Sequence, residues 1–232
     1  MKLLALDTAG SASSVAVWRD GAVLTRAGTA GGHHSEHVLA LIEAVMAESG
    51  LRLVDLDAVA CGRGPGAFTG VRLAVGLAQG LAFAAGLPVI PVSNLEAAAW
   101  RACGIDGVPS RLLVCQDARM HEVYWAAYER APAGVMARSP EAVGRPESVT
   151  LPVVWAQAGV VFGVGTGFDA YPELAARLGT RLARWLPLES RAEDIARLAA
   201  RLGLAQAVSP EEAAPVYLRD DVAAVPRSPP AG

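Results

Sequence analysis

The stretch from Cys61 to Ala99 limits the possible folds of this chain more than any other segment. Its sequence is CGRGPGAFTGVRLAVGLAQGLAFAAGLPVIPVSNLEAAA, which predicts a strand, a glycine-rich loop, a helix, a second strand and a further helix. This alternation of strands and helices is typical of an α/β domain. The glycines of the loop permit backbone conformations that bulkier residues resist. We therefore expect the loop to bring backbone N–H groups close to another group.

The helix predicted from about Gly70 to Ala85 is apolar or small on nearly every side, and only Arg72 and Gln79 interrupt this surface. Small residues recur every four positions along it in two rows, one of Gly76, Gly80 and Ala84, the other of Ala74, Ala78 and Ala82. Each interior glycine costs about 1 kcal/mol relative to alanine, so close packing has to offset that cost. Two interpretations stay open: a core helix of an α/β domain, or a helix that docks one row against a helix of another subunit. A membrane span is disfavoured because the run is short, rich in glycine and flanked by strand patterns.

Composition narrows the class of protein. Hydrophobic residues make up 53% of the 232 residues and charged residues 19%, as in an ordinary soluble globular protein with one large domain or two small lobes. The 20 basic residues against 23 acidic residues give a net charge of −3, a poor basis for independent nucleic-acid binding. The three cysteines lack CxxC spacing, which disfavours a disulfide framework or a zinc site. No leader pattern precedes the first strand, so we expect the reducing cytoplasm.

The chain contains two copies of one local pattern, which is a strand, an acidic turn and a return strand. The first copy covers residues 3–18 with Asp7 in its turn, and a third antiparallel strand follows over 22–27. The second copy covers 112–128 with Asp117 in its turn. This weak internal duplication predicts two lobes.

A cluster of glycine and proline over 104–109 marks the boundary between these lobes. We predict an N-terminal lobe over 1–104 and a C-terminal lobe over 105–225, whose last segment packs back on the N-terminal lobe. The tail over 226–232 is predicted to be disordered.

The helix expected over about 35–49 follows a histidine-rich segment. His33 and His37 lie four residues apart, the spacing of two helical metal ligands, but no third ligand is placed. Ser35 beside these histidines allows a hydrolase interpretation. A serine at the start of a helix is usually a cap, however, and no nucleophile elbow is present.

Four segments of the chain resemble the TsaB (YeaZ) family: LLALDTAGSASSVAVW, GRGPGAFTGVRLAVGLAQGLAFAAGLPVIPVSNLEA, DARMHEVYWAAY and APVYLRDDVA. The resemblance spans most of the chain and weakens between Arg130 and Val160. It implies an α/β fold with two lobes of the actin, Hsp70 and sugar-kinase type, also called ribonuclease H-like, in which duplicated mixed sheets are flanked by helices. The family is the non-catalytic partner of TsaD, so the resemblance implies a chain that is not catalytic by itself.

The resemblance also implies partners. TsaB pairs with TsaD through two helices of its N-terminal lobe, which here span about 35–49 and 70–85. In that complex TsaD transfers a threonylcarbamoyl group to N6 of the adenosine beside the anticodon, in tRNAs that read ANN codons, and the ATPase TsaE acts alongside. We expect contact with tRNA only through the complex, a homodimer through the same surface when the chain is alone, and no membrane. The partner-binding residues are Val38, Leu41, Ile42, Val45, Arg72, Leu73, Ala74, Leu77, Ala78 and Leu81.

Asn94 and Ala98 match the place where the catalytic TsaD relatives carry a pair of metal-binding histidines. Alanine has no donor atom and the carbonyl of asparagine is a weak ligand. We therefore predict no metal and no cofactor here, and this departure argues against catalysis.

The superfamily places its nucleotide between the two acidic turns. By that resemblance the vestigial nucleotide-side residues are Asp7, Asp117, Gly165 and Gly167. In working kinases a glycine follows the second acidic residue, whereas here Ala118 and Arg119 follow and take the space that a phosphate needs. Two alternatives stay open: an ATP-dependent phosphotransferase that uses Asp7 and Asp117 as metal-phosphate and base residues, and a nucleotide-sensing module that uses the 163–167 turn without hydrolysis.

Overall fold

A computed structural model describes residues 1–28, 34–132, 134–156 and 159–219. Within them, five strands form an N-terminal sheet: β1 (Lys2–Asp7), β2 (Ser14–Arg19), β3 (Ala22–Ala27), β4 (Ala58–Gly62) and β5 (Val89–Val92). Their order is β3-β2-β1-β4-β5, with antiparallel pairing from β3 to β1 and parallel pairing from β1 to β5. The central strand β1 therefore joins a hairpin to a parallel half.

The C-terminal sheet repeats this arrangement. Its strands are β6 (Arg111–Arg119), β7 (Glu122–Ala131), β8 (Gly134–Ala137), β9 (Ala142–Gly144), β10 (Val161–Val164) and β11 (Leu182–Leu186). The order is β11-β10-β6-β7-β8, with β9 also on β7, and β6 pairs antiparallel with β7 and parallel with β10. The predicted fold class, two duplicated lobes with mixed sheets flanked by helices, is confirmed.

In the described ranges six α-helices cover the sheets: α1 (His34–Ser49), α2 (Phe68–Ala85), α3 (Asn94–Cys103), α4 (Gly167–Ala170), α5 (Pro172–Leu178) and α6 (Ala192–Leu202). The α2 helix ends at Gly86, whose φ of +66° is the left-handed conformation that glycine adopts easily. The α3 helix begins after Ser93, whose side chain accepts a hydrogen bond from the Glu96 N–H.

Alternating side chains of β1 build two different cores. Leu4 and Leu6 pack with α1 and α2 on one face of the N-terminal sheet. Leu3 and Ala5 pack with α6 on the other face. Because successive residues of a strand point to opposite faces, an uninterrupted apolar strand such as β1 is covered on both sides.

One helix of the predicted C-terminal lobe covers the N-terminal sheet. The α6 helix lies within residues 105–225, which were predicted to form the C-terminal lobe, yet its Ile195 and Leu198 pack on the N-terminal sheet. The α3 helix contributes to two cores. Ala97 packs in the core between α6 and the N-terminal sheet, and Leu95 packs in the core against the C-terminal sheet. Each lobe is therefore built from more than one segment of the chain. The tail predicted over 226–232 lies outside the described residues.

The α2 helix is long and apolar enough to cross a membrane, judged by length and composition alone. In the structure its row of Ala74, Ala78 and Ala82 is buried against the N-terminal sheet. The row of Gly76, Gly80 and Ala84 is exposed. One of the two rows therefore belongs to the core and the other is free to meet another molecule.

Candidate functional site

Half of the predicted partner-binding residues face the interior of this chain. Val38, Ile42, Val45, Ala74 and Ala78 are at most 6% exposed and pack on the N-terminal sheet. Their side chains fill the core of the folded lobe, so the partner-binding role stays a prediction and the surface available to a partner is sought among the other five. The α2 helix is small or apolar on almost every side, so periodicity alone did not distinguish its inner face from its outer face. On α1 the apolar face that contains Val38, Ile42 and Val45 is the core face.

The remaining five residues lie nearer the surface. Leu41, Leu73, Leu77 and Leu81 are partly buried at the edge of the core under α1 and α2. Arg72 is exposed on the first turns of α2. These side chains border the exposed row of small residues.

Gly76 and Gly80 make no packing contact that requires glycine in the part of the chain that the structure describes. A Cβ atom added at either position would meet no heavy atom of these residues within 4 Å. Both lie inside a helix, where glycine costs about 1 kcal/mol relative to alanine. We name the exposed surface made by Gly76, Gly80 and Ala84 the glycine face. Leu39 of α1 and Phe83 of α2 are also exposed, at 45% and 71%, and the sequence analysis did not single them out.

An aromatic and arginine cluster adjoins the start of the glycine face. The guanidinium carbon of Arg72 lies 3.5 Å from the Phe68 ring centroid and 5.2 Å from that of Tyr217. Its Nε donates a 2.6 Å hydrogen bond to the Tyr217 hydroxyl. Phe68 and Tyr217 are each 47% exposed, so a cation–π stack stands at the surface. Sequence spacing does not reveal this cluster, because Tyr217 comes from a distant segment.

A cleft of about 660 Å³ lies between the two lobes. Its walls include the first turn at Gly10 and Ser11, the second acidic turn at Asp117, and Thr166 of the 163–167 turn. Residues 216–219 line its rim. The structure thus brings together the turns that the sequence analysis assigned to a nucleotide.

Asp7 lies at the base of this region and is 1% exposed. Its Oδ1 accepts hydrogen bonds from the Ala9 N–H and from the Asn94 side-chain amide, each at 3.0 Å. Its Oδ2 has no hydrogen-bond partner among the described residues. Burial raises the pKa of the Asp7 carboxyl, and the nearby Glu189 charge contributes in the same direction.

Asn94 uses both ends of its side-chain amide within the chain. Its nitrogen also donates to the Ser190 hydroxyl at 2.9 Å, and its oxygen accepts from the Gly64 N–H at 2.7 Å. Ala98 is fully buried against the C-terminal sheet. Among the described residues no group of three histidine, cysteine or acidic side chains is placed to hold a metal ion. Of the histidine pair considered above, His33 lies outside the described residues and His37 is exposed.

The glycine-rich loop packs on the first turn. A Cβ atom at Gly70 would lie 1.9 Å from the Thr8 carbonyl oxygen, and one at Gly66 would lie 2.8 Å from the Ala9 Cβ. The Ala67 N–H donates a 2.9 Å hydrogen bond to the Ala9 carbonyl. The group that this loop approaches is therefore part of the chain itself.

The 163–167 turn also has a structural reason for its glycines. Added Cβ atoms at Gly165 and Gly167 would lie 2.2 Å and 2.9 Å from the Cys115 carbonyl oxygen. The Thr166 N–H donates to Gln116 Oε1 at 3.1 Å. Close packing on β6 requires these glycines whether or not a nucleotide binds.

The carboxylate of Asp117 likewise binds groups of the chain itself. Asp117 Oδ1 accepts from the Arg119 N–H at 2.8 Å and from the Tyr171 hydroxyl at 2.9 Å. The Arg119 guanidinium lies 3.0 Å from Asp117 Oδ2. Asp117 lies within β6 and not in a turn over 116–119, because β6 continues to Arg119 and the chain reverses at 120–121. Arg119 has a φ of +61°, and its side chain is 88% exposed.

Fold and site together define a two-lobed α/β protein with duplicated mixed sheets, whose inter-lobe turns bind side chains of the same chain and whose N-terminal lobe exposes a glycine face. The family model described as TsaD, tRNA N6-adenosine threonylcarbamoyltransferase, matches residues 28–225. The chain is 41% identical to the Escherichia coli tRNA threonylcarbamoyladenosine biosynthesis protein TsaB, and the alignment covers 96% of each chain. The Haemophilus influenzae protein of the same name is 37% identical, with 96% of this chain and 95% of the relative covered.

A solved structure of a YeaZ protein has the same fold as this chain. YeaZ from Pseudomonas aeruginosa superposes with a TM-score of 0.84 at 40% identity, and the match covers 94% of this chain and 99% of that chain. This chain belongs to the TsaB (YeaZ) family, as its sequence motifs predicted.

Proposed function

We propose that this chain is a non-catalytic subunit of tRNA threonylcarbamoyladenosine biosynthesis that pairs with TsaD through the glycine face. It belongs to a family whose E. coli and H. influenzae members are named for this biosynthesis. The observation that carries the pairing is the exposure of Gly76 and Gly80, where an added Cβ would meet none of the described residues within 4 Å. TsaD then transfers the threonylcarbamoyl group to N6 of the adenosine beside the anticodon.

The two glycines support an interface because they weaken the free helix without improving its packing. A glycine row lets the backbone of a second helix approach closely, and van der Waals contact then offsets the cost of about 1 kcal/mol per glycine. Leu73, Leu77 and Leu81 flank the row and supply apolar area that a partner would bury. The contact surface is thus a helix face with a small-residue centre and an apolar border.

The Phe68–Arg72–Tyr217 cluster supplies a specific anchor at one end of this surface. Arginine and tyrosine are enriched among the residues that dominate binding energy in interfaces. The stack holds the Arg72 guanidinium in one orientation before a partner arrives. Less side-chain entropy is then lost on binding.

The turns of the cleft support a role without independent nucleotide chemistry. The Ser11, Thr166 and Arg119 N–H groups all donate to side chains of the chain itself. Asn94 is committed to Asp7, Gly64 and Ser190. Chemistry is therefore assigned to TsaD.

The other partners follow from the same proposal. TsaE acts on the TsaB–TsaD pair, and tRNA is contacted through the complex because the net charge of −3 gives this chain little attraction for phosphates. We place the chain in the cytoplasm with its tRNA substrate. When TsaD is absent, two copies associate through the glycine face, since the same exposed helix surface is then available to a second copy.

The test is the light-scattering mass of the chain mixed with its cognate TsaD, for the wild type and for Gly80→Arg. An arginine on the glycine face is expected to weaken heterodimer formation at least tenfold, because its side chain fills the space of the partner helix. Gly159→Arg is the matched control, since Gly159 is an exposed glycine of the C-terminal lobe whose added Cβ would also meet no heavy atom of the described residues within 4 Å. Circular dichroism checks that both variants fold.

The same samples test the function itself. Threonylcarbamoyl transfer to tRNA, reconstituted with TsaD and TsaE, is expected to require the wild-type chain and to fall with Gly80→Arg but not with Gly159→Arg. Normal binding and activity of Gly80→Arg would refute the glycine face as the interface. Phosphoryl transfer from ATP by the chain alone would refute the non-catalytic assignment and favour the phosphotransferase alternative.

A further inference from the structure

Glu189 lies where the chain crosses from one lobe to the other, between β11 and α6. On one side of it, the Leu188 carbonyl accepts a 2.7 Å hydrogen bond from Gln116 of the C-terminal sheet. On the other side, the Ser190 hydroxyl accepts from Asn94, which is bonded to the first turn. Glu189 thus occupies the crossing point at the base of the cleft.

The carboxylate of Glu189 binds the first turn of the N-terminal lobe. The Ser11 N–H donates to its two oxygens at 3.0 Å and 3.2 Å, and the Ser11 hydroxyl donates to one of them. A Cβ at Gly10 would lie only 3.1 Å from the Glu189 carboxyl carbon, so the bare glycine permits this approach. A backbone N–H and a hydroxyl that converge on an anion are the donors by which turns bind phosphate oxygens.

We propose that Glu189 takes the place of a bound phosphate. Its carboxylate fills the anion-accepting first turn and fixes the segment between β11 and α6. The two lobes therefore keep one relative position without a ligand. The proposal concerns the free chain and does not depend on the pairing with TsaD.

Two further contacts are consistent with lobes held together by the chain's own charges. Arg63 after β4 lies 3.3 Å from Glu141, which precedes β9 of the C-terminal sheet. The segment that carries Arg219 is tied to the N-terminal lobe, since the Val216 N–H donates to the Arg63 carbonyl at 2.8 Å, and Arg219 pairs with Glu122 of β7. The negative charge of Glu189 beside the buried Asp7 also repels an incoming phosphate. The first turn is therefore closed to anions while Glu189 remains in place.

The test uses the full chain with Glu189→Ala and, as a milder variant, Glu189→Gln, which keeps an acceptor oxygen and the side-chain size. Amide hydrogen exchange at Ser11, followed by NMR, reports on the first turn. Spin labels on Arg197→Cys and Val154→Cys, in a Cys103→Ser background, report the distance between lobes, because Arg197 and Val154 are exposed on α6 and on the C-terminal lobe. Glu147→Ala is the control, since the ion pair of Glu147 is with Arg145 in the same exposed loop.

We expect Glu189→Ala to speed Ser11 exchange about tenfold or more, as for the loss of a charge-assisted hydrogen bond, and to broaden the distance distribution. Millimolar inorganic phosphate should restore both in Glu189→Ala and have no effect on the wild type or on Glu147→Ala. In Glu189→Gln the exchange rate of Ser11 and the width of the distance distribution should lie between those of the wild type and of Glu189→Ala. If Glu189→Ala does not fold, Glu189→Gln takes its place in the test. Unchanged exchange and distance in both Glu189 variants, or a phosphate effect on the wild type equal to that on the variants, would overturn the proposal.

Discussion

Asp194 is a buried carboxyl that lies beside the guanidinium of Arg101. It is 4% exposed at the start of α6, where its Oδ2 accepts from the Arg191 N–H at 3.0 Å and lies 3.4 Å from the Arg101 guanidinium. Burial raises the pKa of this carboxyl to about 7, and the Arg101 charge opposes the rise. The charged form therefore costs the folded protein free energy.

This shift predicts the pH dependence of stability. Above about pH 7 the folded protein carries the buried charge, and as the pH falls toward the ordinary value of 3.8 the folded state binds a proton that the unfolded chain does not. The free energy of unfolding should therefore rise on acidification across this window, by at most about 1.4 kcal/mol per pH unit. Urea unfolding of Asp194→Asn at several pH values should show a flatter profile, whereas Asp106→Asn at an exposed aspartate should follow the wild type. If the free energies of unfolding of the wild type and of Asp194→Asn change with pH in parallel, the raised pKa of Asp194 is contradicted.

At the scale of the element, α2 carries glycines of two opposite kinds. Gly70 is confined, because an added Cβ would lie 1.9 Å from the Thr8 carbonyl oxygen, whereas Gly76 and Gly80 face open space. The helix is thus docked to the first turn at its start and left bare along its outer face. The same residue type serves close packing within the chain in one case and, by our proposal, close approach of a partner in the other.

Alanine substitutions should separate these two kinds of glycine. Gly76→Ala and Gly80→Ala are each expected to raise the free energy of unfolding of the monomer, by up to about 1 kcal/mol, through better helix propensity. Gly70→Ala should lower it by about 1–3 kcal/mol through overpacking. Urea unfolding at concentrations where the chain is monomeric gives both values. Titration with TsaD should show weaker binding for Gly76→Ala and Gly80→Ala than for the wild type. Unaltered affinity of these two variants would argue that no helix packs on the glycine face.

At the scale of the whole molecule, neither lobe is a continuous piece of the chain. The second face of the N-terminal sheet is covered by α6, which follows the last strand of the C-terminal sheet. The α3 helix joins the cores of both lobes. The lobes therefore share buried surface and are expected to unfold together.

The fragment 1–104, the N-terminal lobe as the sequence divides it, should fail to fold alone. Without α6 it exposes the apolar face that includes Leu3, Ala5 and Ile90. A fusion of 1–104 to 188–219 through a glycine-serine linker restores that cover and should give dispersed NMR spectra and a cooperative thermal transition. A well-folded 1–104 fragment would show that the helix is dispensable and that the sequence-based boundary is a real domain limit.

The sequence alone determined the fold class and the family. The repeated strand, acidic turn and return strand are local patterns, and the motif GRGPGAFTG is recognisable from its residues alone, so both can be read without a structure. The prediction that Asn94 and Ala98 hold no metal also rests on residue types alone. Each of these inferences depends on neighbours in the chain.

Tertiary structure decided which surfaces and side chains are available. The α2 helix is small and apolar all round, so only its contact with the sheet separates the buried Ala74 and Ala78 from the exposed Gly76 and Gly80. The bond between Ser11 and Glu189 joins residues 178 positions apart, and no local pattern connects them. Both outcomes depend on long-range packing, because burial and hydrogen-bond partners are set by elements that meet only after the chain has folded.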